Sequence, residues 1–242
     1  MGVWIGTSGY SYKEWLGSFY PEGLPAKAML GYYAARFPTV EINNTFYRMP
    51  AEKTLEAWRD EVPDPFVFVL KATQRLTHQK RLKGCEDDVA YFFKVARALG
   101  PRLGPVFFQL PPNLKKDVPR LQAFLALLPD DTRSAWEFRH ESWFDDEVYA
   151  ALAARNAALC IADAEDLSTP VVATAPFGYL RLRRPDYDEA ALATWAERIA
   201  AEARFAESYV FFKHEEAGTG PRFAARLQAL LGPRSQPAAG TQ

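Results

Sequence analysis

The chain has 242 residues, 48% of them hydrophobic and 24% charged, with a formal net charge of −1. Such a composition excludes a disordered or fibrous chain, gives no global field to attract nucleic acid or a membrane surface, and supplies apolar mass for a large core. No run of about 18 apolar residues exists and the first seven residues show no basic stretch followed by an apolar one, so the expectation is a cytoplasmic protein without a membrane partner.

In chain order, residues 3–8 (VWIGTS) read as a short apolar strand, followed by an aromatic loop through Tyr10, Tyr12, Trp15, Phe19 and Tyr20. Residues 25–37 read as a helix, residues 39–44 (TVEINN) as a strand, and residues 52–62 as a helix. The run 66–73 (FVFVLKAT) is a nearly continuous apolar strand ending in Lys71, and residues 87–99 form an amphipathic helix through Val89, Phe92, Phe93 and Ala96. Residues 105–110 (PVFFQL) are a fourth strand, stopped by Pro111–Pro112, and residues 118–128 the next helix.

Residues 135–143 (AWEFRHESW) read as a strand between acidic breakers. Alternation puts Glu137 and Arg139 on one face, with Trp136, Phe138 and His140 on the other. A helix over 145–155 and a strand over 158–163 (ALCIAD) follow. The crossover to the strand at 178–183 (GYLRLR) holds Pro170 and Pro176 and no helical stripe, so it is expected to be irregular. A helix over 188–205, a strand over 209–214 (YVFFKH) and a helix over 221–231 complete the pattern. Eight short strands alternating with helices predict a single α/β domain over residues 1–231, a TIM-type (β/α)8 barrel whose sixth crossover is irregular. Residues 232–242 carry no apolar pattern and read as a flexible tail.

In such a barrel chemistry gathers at the C-terminal strand ends. There the sequence places Glu41, Asn43, Lys71, Gln109, Glu137, Arg139, Asp163, Arg181 and Lys213, which is three carboxylates facing four fixed cations. The three histidines, His78, His140 and His214, also fall at or just beyond strands. A paired structural network is the bland reading of that ring, and it requires near-complete compensation of each charge. Cys85 and Cys160 lie in unrelated segments without metal-ligand spacing, which fits a reducing compartment.

The segments GTSGYSYKEW (6–15), VEINNTFYRMP (40–50), TH (77–78), QLPP (109–112), EFRHESW (137–143) and AD (162–163), in this order, resemble the YecE-like family of bacterial and archaeal proteins. The resemblance implies a TIM-type barrel and a shared pocket, without implying a reaction. Its motif positions correspond to Tyr10, Trp15, Glu41, Asn43, Tyr47, Lys71, His78, Gln109, Glu137, Arg139, His140, Trp143 and Asp163. The chain departs from the family pattern at Arg183–Arg184, where a His–Gly pair is common, and at FFKHEEAGTG (211–220), where many members look Asn-rich. Together the differences suggest more positive charge near the last two strands.

Three functional readings stay open. The first is binding of, or action on, a small anionic ligand carrying phosphate or carboxylate. Arg139 and Arg181 would offer planar forks, Lys71 and Lys213 point charge, and Trp15, Tyr47 and Trp143 stacking surfaces. Glu137 would be the leading acid or base, with Glu41 and Asp163 as further catalytic candidates. The second is a divalent-metal phosphodiester hydrolase acting on nucleic acid, using Glu41, Glu137, Asp163 and the histidines. No HxH or HxxxH spacing supports it, and the cations would repel a metal, so neither a metal nor another cofactor is expected. The third is a non-enzymatic partner protein using the aromatic loop. The short GxG at Gly218–Gly220 is only a weak anion-site signal.

Overall fold

Parallel pairing dominates the structure, a computed structural model that describes residues 2–235. The strands are β1 (Gly2–Ser8), β2 (Thr39–Ile42), β3 (Val67–Leu70), β4 (Val106–Gln109), β5 (Ser134–Glu137), β6 (Ala158–Ala164), β7 (Leu167–Ser168), β8 (Phe177–Leu182) and β9 (Glu207–Phe212). Eight of them run parallel in the order β3-β2-β1-β9-β8-β6-β5-β4, while β7 pairs antiparallel with β6. The ring is nearly closed between β3 and β4, through Gly104 N donating to Phe68 O and Ala72 N to Phe107 O, both across 2.8 Å. This is the expected TIM-type barrel.

Helices α1 (Met29–Ala34), α2 (Glu52–Glu61), α3 (Glu86–Ala96), α4 (Val118–Leu125), α5 (Asp146–Ala153), α6 (Glu189–Ala201) and α7 (Thr219–Leu231) alternate with the strands. Three of them start where an aspartate caps the first turn: Asp117 accepts from Arg120 N, Asp145 from Glu147 N and Asp188 from Ala191 N. None of the helices among the described residues is long and apolar enough to cross a membrane.

Each strand divides its side chains between two cores. Val40, Ile42, Phe68, Phe108, Trp136 and Leu180 face outward against the helices. Val69, Phe107, Cys160, Tyr179, Tyr209 and Phe211 fill the barrel, where Phe107 stacks on Tyr179 at 5.2 Å between centroids. Gly6 faces inward by the same alternation, and a Cβ there would lie 2.0 Å from Thr39 O, so glycine permits the close approach of β1 to β2.

Several boundaries differ from the sequence reading. The helix expected over 25–37 opens as a 3-10 turn at Ala26–Ala28 before α1, and α6 ends at Ala201. The strand expected over 135–143 ends at Glu137, because His140 Nδ1 accepts from Ser142 N at 3.1 Å and caps a 3-10 turn over Glu141–Trp143. That turn buries Trp143 against Phe138 at 4.8 Å. The sixth crossover is irregular as expected: after β7 it runs without a helix to β8. Of the tail, Gly232–Ser235 forms a 3-10 turn, and residues 236–242 lie outside the described residues.

Candidate functional site

The inward faces of β2, β5 and β8 carry Glu41, Glu137 and Arg181 to the upper end of the barrel. Their exposures are 0%, 0% and 2%, so all three charges are out of water. Arg181 sits between the two carboxylates, with Nη2 donating to Glu41 Oε1 at 3.0 Å and Nη1 to Glu137 Oε2 at 2.6 Å. Its guanidinium lies 4.5 Å above the Phe107 ring centroid. Glu41 further accepts from Tyr179 OH at 2.5 Å, Ser8 Oγ at 2.7 Å and Asn43 Nδ2 at 3.1 Å. Burial pushes both carboxyls up, but the guanidiniums and donors outweigh it. Glu137 is held at about 2 by Arg181 and Arg139, and Glu41 is also held below the ordinary carboxylate range. Both are therefore anions, and they take both Nη groups of Arg181, whose Nε is buried without a hydrogen-bond partner among the described residues.

Above this buried triad stand further cations. Arg139 Nε donates to Glu137 Oε1 at 2.8 Å, which leaves its two Nη groups without a protein partner among the described residues. Arg183, two residues beyond Arg181 on the same face, comes only within 3.9 Å of Glu137. Lys71 Nζ donates to the neutral amide oxygen Gln109 Oε1 at 2.6 Å and lies 4.3 Å from the Phe46 ring centroid. Burial, and next to it Arg181, push Lys71 down to about 7 despite Glu41 and Glu137. Burial and then Arg181 likewise push Arg183 down. His78 packs edge-on to the same Phe46 ring at 4.9 Å, with Nδ1 2.8 Å from Thr77 Oγ1. Lys213 projects from the end of β9 into a cleft of about 610 Å3 shared with Arg183, Glu165, Asp166, Glu215 and Glu216.

Other residues singled out from the sequence do not converge here. Asp163 shares the outward face of β6 with Leu159 and Ile161. It accepts from Tyr187 OH at 3.1 Å, Trp195 Nε1 at 3.1 Å and Arg184 Nε at 2.7 Å, which ties β6 to the segment before α6 and to α6 itself. His140 caps its turn, and His214 packs against Phe223 at 5.1 Å outside the barrel. Trp15 and Trp143 are wholly buried, Trp15 among Tyr12, Phe19 and Tyr20 and Trp143 with Nε1 on Leu114 O at 2.7 Å. Neither can stack on a ligand. Tyr10 is half-buried and lines a cavity of about 230 Å3 with Tyr12, Asn43 and Trp58, while Tyr47 is 74% exposed beside Phe46.

The charge account changes accordingly. Asp163 leaves the ring and Arg183 joins it, so two buried carboxylates face Lys71, Arg139, Arg181, Arg183 and Lys213. Among the described residues no cluster of three or more His, Cys, Asp or Glu side chains could hold a metal ion.

A family description, "Protein of unknown function DUF72", matches residues 4–242. The chain belongs to the DUF72 family. Over 143 residues it is 32% identical to the UPF0759 protein YecE of Escherichia coli K12, covering 59% of this chain and 50% of that protein. Over 157 residues it is 30% identical to the UPF0759 protein YunF of Bacillus subtilis 168, covering 61% of this chain and 54% of that one. The chain thus spans about half the length of the curated relatives it matches. A crystal structure of a DUF72 family protein from Thermotoga maritima MSB8 superposes with a TM-score of 0.85 at 27% identity, over 96% of this chain and 99% of that one. A second, from Enterococcus faecalis V583, gives a TM-score of 0.78 at 19% identity over 95% of each chain, a likeness of fold. This DUF72 chain therefore keeps the fold that the YecE-like motifs implied.

Reading the motifs alone missed Ser8 and Tyr179 as members of the site, and noted Arg183 only as added charge near the strand end. The signal existed: each lies two residues from an inward neighbour on its strand, Gly6 for Ser8 and Arg181 for the other two.

Proposed function

We propose that this DUF72 barrel binds, or acts on, a small anion bearing phosphate or carboxylate at its C-terminal mouth. One observation carries the reading: Arg181 alone engages both buried carboxylates, so Arg139, Arg183 and Lys71 stand above it with too little negative charge to match them. Like charges held together in a partly dry mouth raise one another's free energy, and an anion relieves that repulsion. The free Nη pair of Arg139 suits a planar or tetrahedral oxyanion. Glu165, Asp166, Glu215 and Glu216 crowd the cleft of Lys213, which Arg183 borders, so the seat lies toward Lys71 and Arg139, with Arg183 at its edge.

Glu137, held at about 2, is a poor general base at neutral pH and serves instead to orient Arg139 and Arg181. The metal-hydrolase reading required Asp163, His140 and His214 beside the glutamates, and their outward placement supplies no support for it. Titration of the full chain with phosphate, against chloride at equal ionic strength, tests the proposal. Phosphate should raise thermal stability beyond the chloride control by mass action. An identical response to both salts would reduce the charged ring to a structural network.

A further inference from the structure

We infer that Lys71 is an amine nucleophile, which forms an imine with an aldehyde or ketone whose phosphate or carboxylate group occupies the mouth. The choice of an anionic carbonyl compound rests on the anion seat proposed above; the amine's reactivity rests on the surroundings of Lys71 itself.

Those surroundings differ from those of a lysine built to hold a salt bridge. Among the described residues Nζ meets no carboxylate within ion-pair distance, and its hydrogen-bond partner is the neutral Gln109 Oε1 at 2.6 Å. A neutral acceptor aims the amine without securing the ammonium form. The backbone is fixed as well: Lys71 N donates to Ile42 O at 3.0 Å and Lys71 O accepts from Thr45 Oγ1 at 2.7 Å, so β2 and the turn after it hold the residue at the rim. The charged and titratable groups facing the amine are Arg181 and Arg139, which disfavour its protonation, Glu41 and Glu137, which favour it, and His78 beside the shared Phe46 ring. Burial and Arg181 prevail, and at about 7 roughly half the amine is free at neutral pH, against fewer than about one in a thousand for an ordinary lysine.

The chemistry balances without any further reagent. The Nζ lone pair attacks the carbonyl carbon, and the proton lost by nitrogen goes to the oxygen, giving a carbinolamine. Protonation of that hydroxyl and expulsion of water, as nitrogen forms the C=N bond, leave a cationic imine. The proton comes from solvent. Arg139 and Arg183 meanwhile hold the anionic end of the same molecule.

The test uses the full chain with glycolaldehyde phosphate and, separately, with uncharged glycolaldehyde. Sodium borohydride then reduces any imine to a stable amine that peptide mass mapping locates. At about pH 7, Lys71 should be labelled at least about tenfold faster than the exposed Lys13 and Lys53. Phosphate should slow the reaction with the charged aldehyde, and Lys71→Arg should lose the label. Labelling of Lys71 no faster than the exposed lysines by both aldehydes overturns the imine, and does so without touching the anion seat if phosphate still stabilises the protein. Selective labelling of Lys71 by both aldehydes, with no competition or stabilisation by phosphate, supports the nucleophile and overturns the anion seat.

Discussion

Arg181 Nη1 donates to Glu137 Oε2 across 2.6 Å, between two side chains that water scarcely reaches. With Glu41 on its other nitrogen, this one guanidinium joins strands from three parts of the chain. Replacing Arg181 with Leu leaves two buried carboxylates without their main partner, so the expected loss is about 3–5 kcal/mol. Urea denaturation reads it, and a loss below about 1 kcal/mol would mean that the network relaxes into water.

The pH dependence follows from two groups of opposite sign. Glu137 titrates at about 2 when folded and at an ordinary 4.5 when unfolded, so its stabilisation is complete above the unfolded value and disappears as pH falls through the folded one. The stability gap between wild type and Glu137→Gln should therefore narrow from about pH 4.5 down to about pH 2. Lys71 behaves conversely: with about 7 folded and 10.5 unfolded, it penalises folding in full below the folded value and ceases to do so above the unfolded one. Lys71→Met should raise the thermal midpoint at about pH 6, with the gain fading by about pH 10.5. A gain that is constant across that range contradicts the assignment.

Arg139 has two duties in the proposed site, since Nε binds Glu137 while the Nη pair, without a protein partner among the described residues, is left for the anion. A single ammonium cannot do both. Arg139→Lys should keep the fold and weaken phosphate binding about tenfold, or about 1.4 kcal/mol. Unchanged affinity in a thermal-shift titration would remove Arg139 from the seat.

Asp163 makes the opposite test, because its three partners all lie outside the barrel. Asp163→Ala should cost about 1–3 kcal/mol through the unpaired Trp195 donor and the lost side-chain partner of Tyr187 and Arg184, and should alter Trp195 fluorescence. The stabilisation by phosphate should persist. Its disappearance in a folded variant would return Asp163 to the site.

Periodicity made the barrel legible: eight apolar strands and their intervening helices can be read from sequence because each must bury an outward face. The pairing of Glu137 with Arg139 was equally open to reading, since two residues on one strand share a face whatever the tertiary fold. Asp163 was misread for want of the same rule. In ALCIAD the small residues Ala158 and Cys160 face the crowded barrel interior, so Asp163 must follow Leu159 and Ile161 outward. Trp15 and Trp143 looked like ligand-stacking rings because aromatic loops at a mouth and aromatic loops folded into the wall have the same composition. Only tertiary packing separates them. The occupation of Arg181 by two glutamates was not readable either, because Glu41 lies 140 residues away in sequence.

The stacked Phe107 and Tyr179 rings form a floor of low dielectric constant directly beneath the guanidinium of Arg181. Field lines from the cations above cannot spread downward through that aromatic layer as they would through water, and they leave instead through the solvent-filled opening. In the proposed reading the barrel thereby acts as an electrostatic lens that directs the field of these cations outward along its axis, although the whole chain carries a net charge of only −1. If the mouth binds an anion as proposed, capture is a steered encounter whose association rate should fall steeply as added salt shortens the screening distance.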